Sequence, residues 1–213
     1  MNTRKALSAL SMAAVLTLGL AGCSGDGEGS DSSGSGTEVV AGSAQSGSAE
    51  SGAAESGAAV DLSQFEPFVV QDQGFQITFP APIDEVLEES SEYVQQWTVE
   101  QDDDSGYMIG VLSGEPVEGE EPSEEWAREA MSQAVDSFET QDGVTIKEND
   151  YDLTFKGFPA AFAELTADVE GEKQQLFVLY FIDLETMDVY NIMTVGVSRA
   201  DFDAFCDSFK VIE

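Results

Sequence analysis

The sequence predicts an α+β fold, in which helices pack on an antiparallel sheet, and three observations lead to that class. Several segments alternate apolar with polar residues, as half-buried strands do, and residues 75–79 are the best example. Turn residues separate neighbouring strand segments, which makes them hairpins. Two segments have apolar residues at helical spacing, and the order of the elements gives no sign of a βαβ unit.

The first half of the folded part is predicted to hold strands at 68–70 and 75–79, followed by a hairpin over 93–112. A central helix comes next, with Ser123 as its N-cap and Gly143 as the residue that ends it. One face of this helix is apolar and is formed by Trp126, Ala127, Ala130, Met131, Ala134, Val135 and Phe138. We therefore expect this face to pack on the sheet.

The second half is again predicted to be mostly strands. They are expected at 144–147, 151–155, 161–169, 173–182 and from Met187 or Asp188 to Val197, with a tight turn at 170–172. Ser198 then caps a short helix. Phe202, Phe205, Cys206 and Phe209 follow a spacing of i, i+3, i+4 and i+7, so they are predicted to share one buried helical face.

Composition and charge exclude several classes of function. The 213 residues include 42 Asp and Glu but only 8 Lys and Arg, for a net charge of −34, with no His and two Cys. A surface this acidic repels phosphate, so we expect no nucleic-acid partner. Without His there is no Ser-His-Asp triad, Cys-His dyad or His-based zinc site, and two Cys cannot form a Cys₄ site. We expect no cofactor, no metal and no enzymatic activity.

The N-terminal residues 1–22 are predicted to be a signal peptide. Arg4 and Lys5 precede an apolar run from Ala6 to Leu20, whose 15 residues are too few for a membrane span. The run ends in Leu20-Ala21-Gly22-Cys23, which resembles the lipobox of bacterial lipoproteins. The resemblance implies a diacylglyceryl group on the Cys23 sulfur and cleavage just before it. An ordinary secretory signal is the alternative.

Residues 23–60 are predicted to be the lipidated Cys23 followed by a disordered tether. The segment is almost wholly Ser, Gly, Ala, Glu and Asp, a composition that cannot bury enough apolar surface to fold. Residues 61–213 remain as one globular domain, with 36 of the 42 acids and 6 of the 8 basic residues. We expect the chain to lie on the outer face of a cell membrane, held there by its lipid, with an envelope protein as its partner.

Three motifs in the domain resemble a known family. They are G-F-x-I-x-F-P-x-P at Gly74–Pro82, K-G-F-P-A at Lys156–Ala160, and F-x-x-F-x-x-S-F at Phe202–Phe209. Their order and spacing are similar to the PsbP-like α/β/α sandwich found in bacterial lipoproteins of the LpqN and DcrB type, such as those of actinobacteria. The resemblance implies a binding or assembly module without catalytic chemistry, and it supplies no functional residues to carry over.

Some residues offer chemistry of their own. Asp102, Asp103 and Asp104, with Gly106 behind them, resemble half of a calcium loop, but the rest of the loop is missing and a solvated hairpin turn is favoured. The acidic residues Glu115, Glu118, Glu120 and Glu121 are similarly interpreted as a solvated loop. Cys206 could be a reactive thiol, although its apolar neighbours favour a buried one. Trp97 and Trp126 could line a pocket but are more typical of a core.

Two functions from different classes remain open. One is a non-catalytic binding or assembly module, and the other is a carrier that holds a small or lipidic ligand in a cavity of the domain. A carrier needs an apolar cavity of several hundred Å³, whereas a binding module can have a filled interior.

Overall fold

The computed structural model describes residues 59–91, 93–102, 104–114, 122–169 and 171–212. The predictions for the signal peptide, for Cys23 and for nearly all of the tether lie outside these residues, as do Asp103 and the acidic loop at 115–121. None of the helices in the described ranges is long and apolar enough to cross a membrane.

The described chain forms two antiparallel sheets and two α-helices, so the predicted combination of antiparallel strands with packed helices is confirmed. In chain order the elements are β1 (Phe68–Val70), β2 (Phe75–Ile77), β3 (Leu87–Ser90), β4 (Val94–Glu100), β5 (Gly106–Leu112), α1 (Glu124–Asp136), β6 (Val144–Phe155), β7 (Phe158–Val169), β8 (Glu172–Ile182), β9 (Val189–Val195), α2 (Arg199–Ser208) and β10 (Lys210–Val211). Short 3₁₀ turns lie at Leu62–Gln64, Gln71–Gln73, Ile83–Glu85 and Ser137–Thr140.

The large sheet has seven strands in the order β3-β4-β5-β9-β8-β7-β6, and every pair in it is antiparallel. The small sheet has three strands in the order β1-β2-β10. The hairpin predicted over 93–112 is confirmed as β4 and β5, with Val94 paired to Leu112 and Glu100 paired to Gly106. In the part of the chain that the structure describes, this strand order makes β3 and β6 the two edges of the large sheet.

Both faces of the large sheet are covered, and β8 shows this most clearly. Phe177, Leu179 and Phe181 belong to one core cluster, together with residues of the small sheet and α2. The alternate residues of β8, such as Val178, belong to a second cluster that includes the apolar face of α1. Because successive side chains of a strand point to opposite faces, two cores lie on the two sides of one sheet.

Both helices begin where the sequence predicts. The Ser123 Oγ accepts a hydrogen bond from the backbone N–H of Trp126 at 3.2 Å. Ser198 and Asp201 form a capping box at the start of α2. The end of α1 was predicted wrongly, because the helix stops at Asp136 and tightens into the 3₁₀ turn before Gly143 is reached. Gly143 instead supplies a positive φ of 82° in the turn before β6.

Several strand predictions need correction. Strand β3 was not predicted at all, and all four of its residues are exposed. The segments 144–147 and 151–155 are one strand, β6, in which the pairing with β7 shifts register at Ile146/Glu148 and at Asp150/Leu153. These irregularities break the alternation of side chains and produce the pattern of two short strands. Strand β7 begins at Phe158, earlier than the predicted 161.

Candidate functional site

The turn between β4 and β5 is held by one carboxylate. The Asp102 Oδ1 accepts hydrogen bonds from the Ser105 hydroxyl at 2.7 Å and from the Asp104 backbone N–H at 3.0 Å. The Ser105 bond first, and the Asp104 bond second, lower the pKa of Asp102 below its ordinary value. The Asp102 Oδ1 is therefore used to hold the turn. A calcium site would need that oxygen as a ligand, so the structure favours the interpretation of a solvated turn.

A polar cleft of about 550 Å³ opens beside this turn. Its walls are the turn, the start of β8 and the end of β9, and they consist of Asp102, Asp104, Ser105, Glu172, Lys173, Gln174, Gln175, Gly196 and Val197. In the described ranges there is no group of three or more Asp, Glu, His or Cys that could hold a metal ion. The cleft can offer hydrogen bonds to a polar ligand but has little apolar surface for a lipid.

Cys206 lies on α2 and is only 6% exposed. Its neighbours in the core cluster include Phe202, Phe205 and Phe209. Burial raises the pKa of the Cys206 thiol well above its usual range, and the carboxylates of Asp203 and Asp207 raise it further. The thiolate, which is the reactive form, is therefore almost absent at neutral pH.

We expect Cys206 to react slowly with a maleimide in the native protein and rapidly after denaturation. The measurement is clean in a Cys23→Ser variant, because the chain has only two Cys and Cys206 is then the single thiol. Mass spectrometry at successive times gives the rate. Labelling of the native protein as fast as that of the denatured one would contradict the burial and restore the possibility of a thiol function.

Both tryptophans contribute to packing. Trp97 on β4 is 3% exposed, and its ring centroid lies 5.6 Å from that of Phe75 and 6.3 Å from that of Phe68. Trp126 on α1 is half-buried against the second core cluster. Neither lines the polar cleft.

The edge strand β3 is a candidate site that the sequence did not reveal. Three of the five exposed large apolar side chains of the described chain lie on it or next to it: Ile83 at 41%, Leu87 at 56% and Tyr93 at 61% exposed. The sequence carries no signal for this edge, because single exposed apolar residues are common on protein surfaces. Strand β3 contains two Glu, a residue type that is uncommon in strands, so the sequence did not indicate a strand there.

Comparisons with known proteins give likenesses at low identity. No family model and no curated protein matches the chain. Among solved structures, LpqN of Mycobacterium tuberculosis, described as involved in cell envelope biogenesis, is 15% identical over 70% of this chain and 91% of its own, with a TM-score of 0.45. The Ran-binding protein Mog1p of Saccharomyces cerevisiae is 9% identical over 70% and 96%, with a TM-score of 0.44. A Bacteroides thetaiotaomicron structure is 11% identical over 70% of this chain but only 49% of its own, with a TM-score of 0.43. The PsbP-like and LpqN-like resemblance stays a prediction.

Proposed function

We propose that this protein is a cell-envelope lipoprotein, held on the outer face of a membrane by acyl chains on Cys23, that acts as a non-catalytic binding or assembly module. The lipobox-like segment Leu20–Cys23 supports the anchoring half of the proposal. Two or more acyl chains would hold the domain stably on a bilayer, whereas one alone would bind weakly and reversibly.

The observation that supports the binding half is the filled interior. Residues on both faces of the large sheet are buried in two apolar clusters. Eight of the largest fully buried side chains are Phe or Tyr in the first or second cluster: Tyr107, Phe75, Phe79, Phe138, Phe177, Phe181, Phe205 and Phe209. A domain whose interior is occupied by its own side chains presents its function on its surface.

Catalysis has little support in the described residues. The sequence has no His, and the thiol of Cys206 is buried and kept protonated. Carboxylates are too abundant for any pair of them to indicate acid–base chemistry. The alternative function, a carrier of a small or lipidic ligand, needs an apolar cavity, but the cleft at Gln174 and Gly196 is polar and open to solvent.

The proposal is tested on whole cells by comparing the wild-type protein with a Cys23→Ala variant. The wild-type protein should enter the detergent phase in a phase-separation assay and should form crosslinks with an envelope protein. Cys23→Ala should move to the aqueous phase, because it lacks the sulfur that carries the lipid. A Cys206→Ala variant is the matched control and should behave like the wild type.

Two results would contradict the proposal separately. Partition of Cys23→Ala into the detergent phase would show that the lipid is not the anchor. A wild-type protein that enters the detergent phase but forms no crosslink to any protein would leave the anchor standing and remove the binding function.

A further inference from the structure

We propose that the free edge of β3 binds an extended, basic segment of a partner protein, which adds to the seven-stranded sheet as an eighth strand. The inference rests on the proposed binding function and assigns it a surface and a partner chemistry. Strand addition takes its affinity from main-chain hydrogen bonds and its specificity from the side chains beside them.

The register of β3 shows which backbone groups are free. The Ser91 N–H donates to the Val94 carbonyl at 2.7 Å, so these two residues are a hydrogen-bonded pair. Hydrogen-bonded and non-hydrogen-bonded pairs alternate in antiparallel strands, and Glu89 pairs with Gln96 two positions on. The N–H and C=O groups of Glu88 and Ser90, which lie between the bonded positions, therefore point away from β4 and off the edge of the sheet.

Apolar side chains flank these free groups. Leu87 begins the strand, Ile83 lies four residues before it, and Tyr93 lies just before β4; all three are exposed. Leu87 pairs with Thr98, and Thr98 pairs with Met108, so Leu87 lies on the α1 side of the sheet. Tyr93 has the same parity as Trp97 and so lies on the opposite side of the sheet. An added strand would satisfy the free backbone groups and would cover Leu87 on the α1 side.

Charge decides which kind of chain can occupy the edge. Asp84, Glu85, Glu88 and Glu89 lie within six consecutive residues, and no Lys or Arg occurs between Lys5 and Arg128. A second copy would place the Glu residues of one β3 against those of the other, which like charges oppose. The chain's own segment 24–60 is also acidic, with six Asp and Glu and no basic residue. A basic segment of another protein is the occupant that these charges attract.

The other edge of the large sheet is less suited to strand addition. Strand β6 carries two shifts of register, which twist an edge away from a flat partner. The guanidinium of Arg128 also donates to two of its carbonyls, that of Leu153 at 3.1 Å and that of Tyr151 at 3.2 Å. The edge at β3 is protected, among the described residues, by its short length and by the charges of Glu88 and Glu89. Those charges oppose an acidic strand but attract a basic one.

The test uses the full-length chain in a nonionic detergent and a synthetic peptide in which Lys alternates with Val. Amide hydrogen exchange should show new protection of the Glu88 and Ser90 N–H groups when the peptide is added, with β6 unchanged. A second peptide with the same sequence, N-methylated at alternate residues, keeps the charge but loses the donors, and should bind about tenfold more weakly or not at all.

Two variants of the protein complete the test. Ser90→Pro removes one outward N–H without removing a hydrogen bond to β4 and should weaken the peptide about tenfold, whereas Glu148→Gln on β6 should leave the affinity unchanged. Equal binding of the methylated and unmethylated peptides would show a diffuse charge attraction and overturn the inference, even if Ser90→Pro failed to fold. Absence of binding would overturn it as well. If either result is obtained and the protein still forms crosslinks on whole cells, β3 is not the binding surface, but the proposed binding function stands.

Discussion

Replacing Phe209 by Ala is expected to lower the free energy of unfolding by about 3–5 kcal/mol, the range found for a fully buried Phe. Phe209 is 1% exposed. Its ring is stacked on Phe75 at a centroid distance of 5.6 Å and meets the edge of Phe181 at 5.0 Å. These rings belong to the small sheet and to β8, so the loss would leave a cavity between the two sheets. Urea unfolding followed by circular dichroism measures the change.

Val211→Ala provides the matched control, because Val211 lies two residues further along the chain and is 55% exposed. Its truncation should change the stability by no more than about 0.5 kcal/mol. A loss below about 1 kcal/mol for Phe209→Ala would contradict the burial, since it would fall outside the range for core aromatic residues. It would instead indicate that the C-terminal apolar stripe is a docking surface.

Phe209 also shows what periodicity can and cannot predict. The i, i+3, i+4, i+7 spacing correctly predicted its burial together with Phe202 and Phe205. It wrongly placed Phe209 inside the helix, because α2 ends at Ser208 and Phe209 is already extended, with φ −65° and ψ 134°. Apolar spacing reports which side chains need a core, whereas the end of a helix depends on local hydrogen bonds. Here the Ser208 Oγ donates to the Phe205 carbonyl at 2.7 Å and accepts from the Thr78 N–H at 3.0 Å.

The edge strands were the least predictable part of the fold. Central strands such as β8 and β9 are buried on both faces and are rich in apolar residues, and both were predicted. Strand β3 is held by backbone pairing with β4 and buries none of its side chains. Backbone hydrogen bonds are the same for every residue type except Pro, so they leave no pattern in the sequence.

The polar cleft could be predicted only in part. The turn at 102–106 is evident from its Asp, Ser and Gly residues, and the structure has a turn there. The other walls, Gln174 on β8 and Gly196 after β9, are far away in sequence. Strand β9 lies between β5 and β8, and its residue Val195 pairs with Gly106 of β5 on one side and with Leu176 of β8 on the other. This pairing brings Gln174 and Gly196 next to the turn. Register of this kind follows from the packing of the whole sheet.

Gly196→Ala is the second change with a large expected effect, a loss of about 2–5 kcal/mol in the free energy of unfolding. Gly196 has a φ of 67°, which costs a residue with a side chain about 1–2 kcal/mol. A Cβ at this position would also overlap the carbonyl oxygen of Asp104 and come within 3.2 Å of the Ser105 Cα. Both are backbone atoms, so the turn itself would have to move, and overpacking of this kind costs about 1–3 kcal/mol.

Gly171→Ala separates the two contributions. Gly171 has a φ of 92°, but no described atom lies within 4 Å of the place where its Cβ would stand. It should therefore lose only the cost of the positive φ, about 1–2 kcal/mol. Thermal or urea unfolding of both variants gives the difference, which is the contribution of the contact with Asp104. Equal losses of unfolding free energy for the two variants would show that the turn at Asp104 moves at little cost to admit the Cβ. The turn would then not form a rigid side of the cleft.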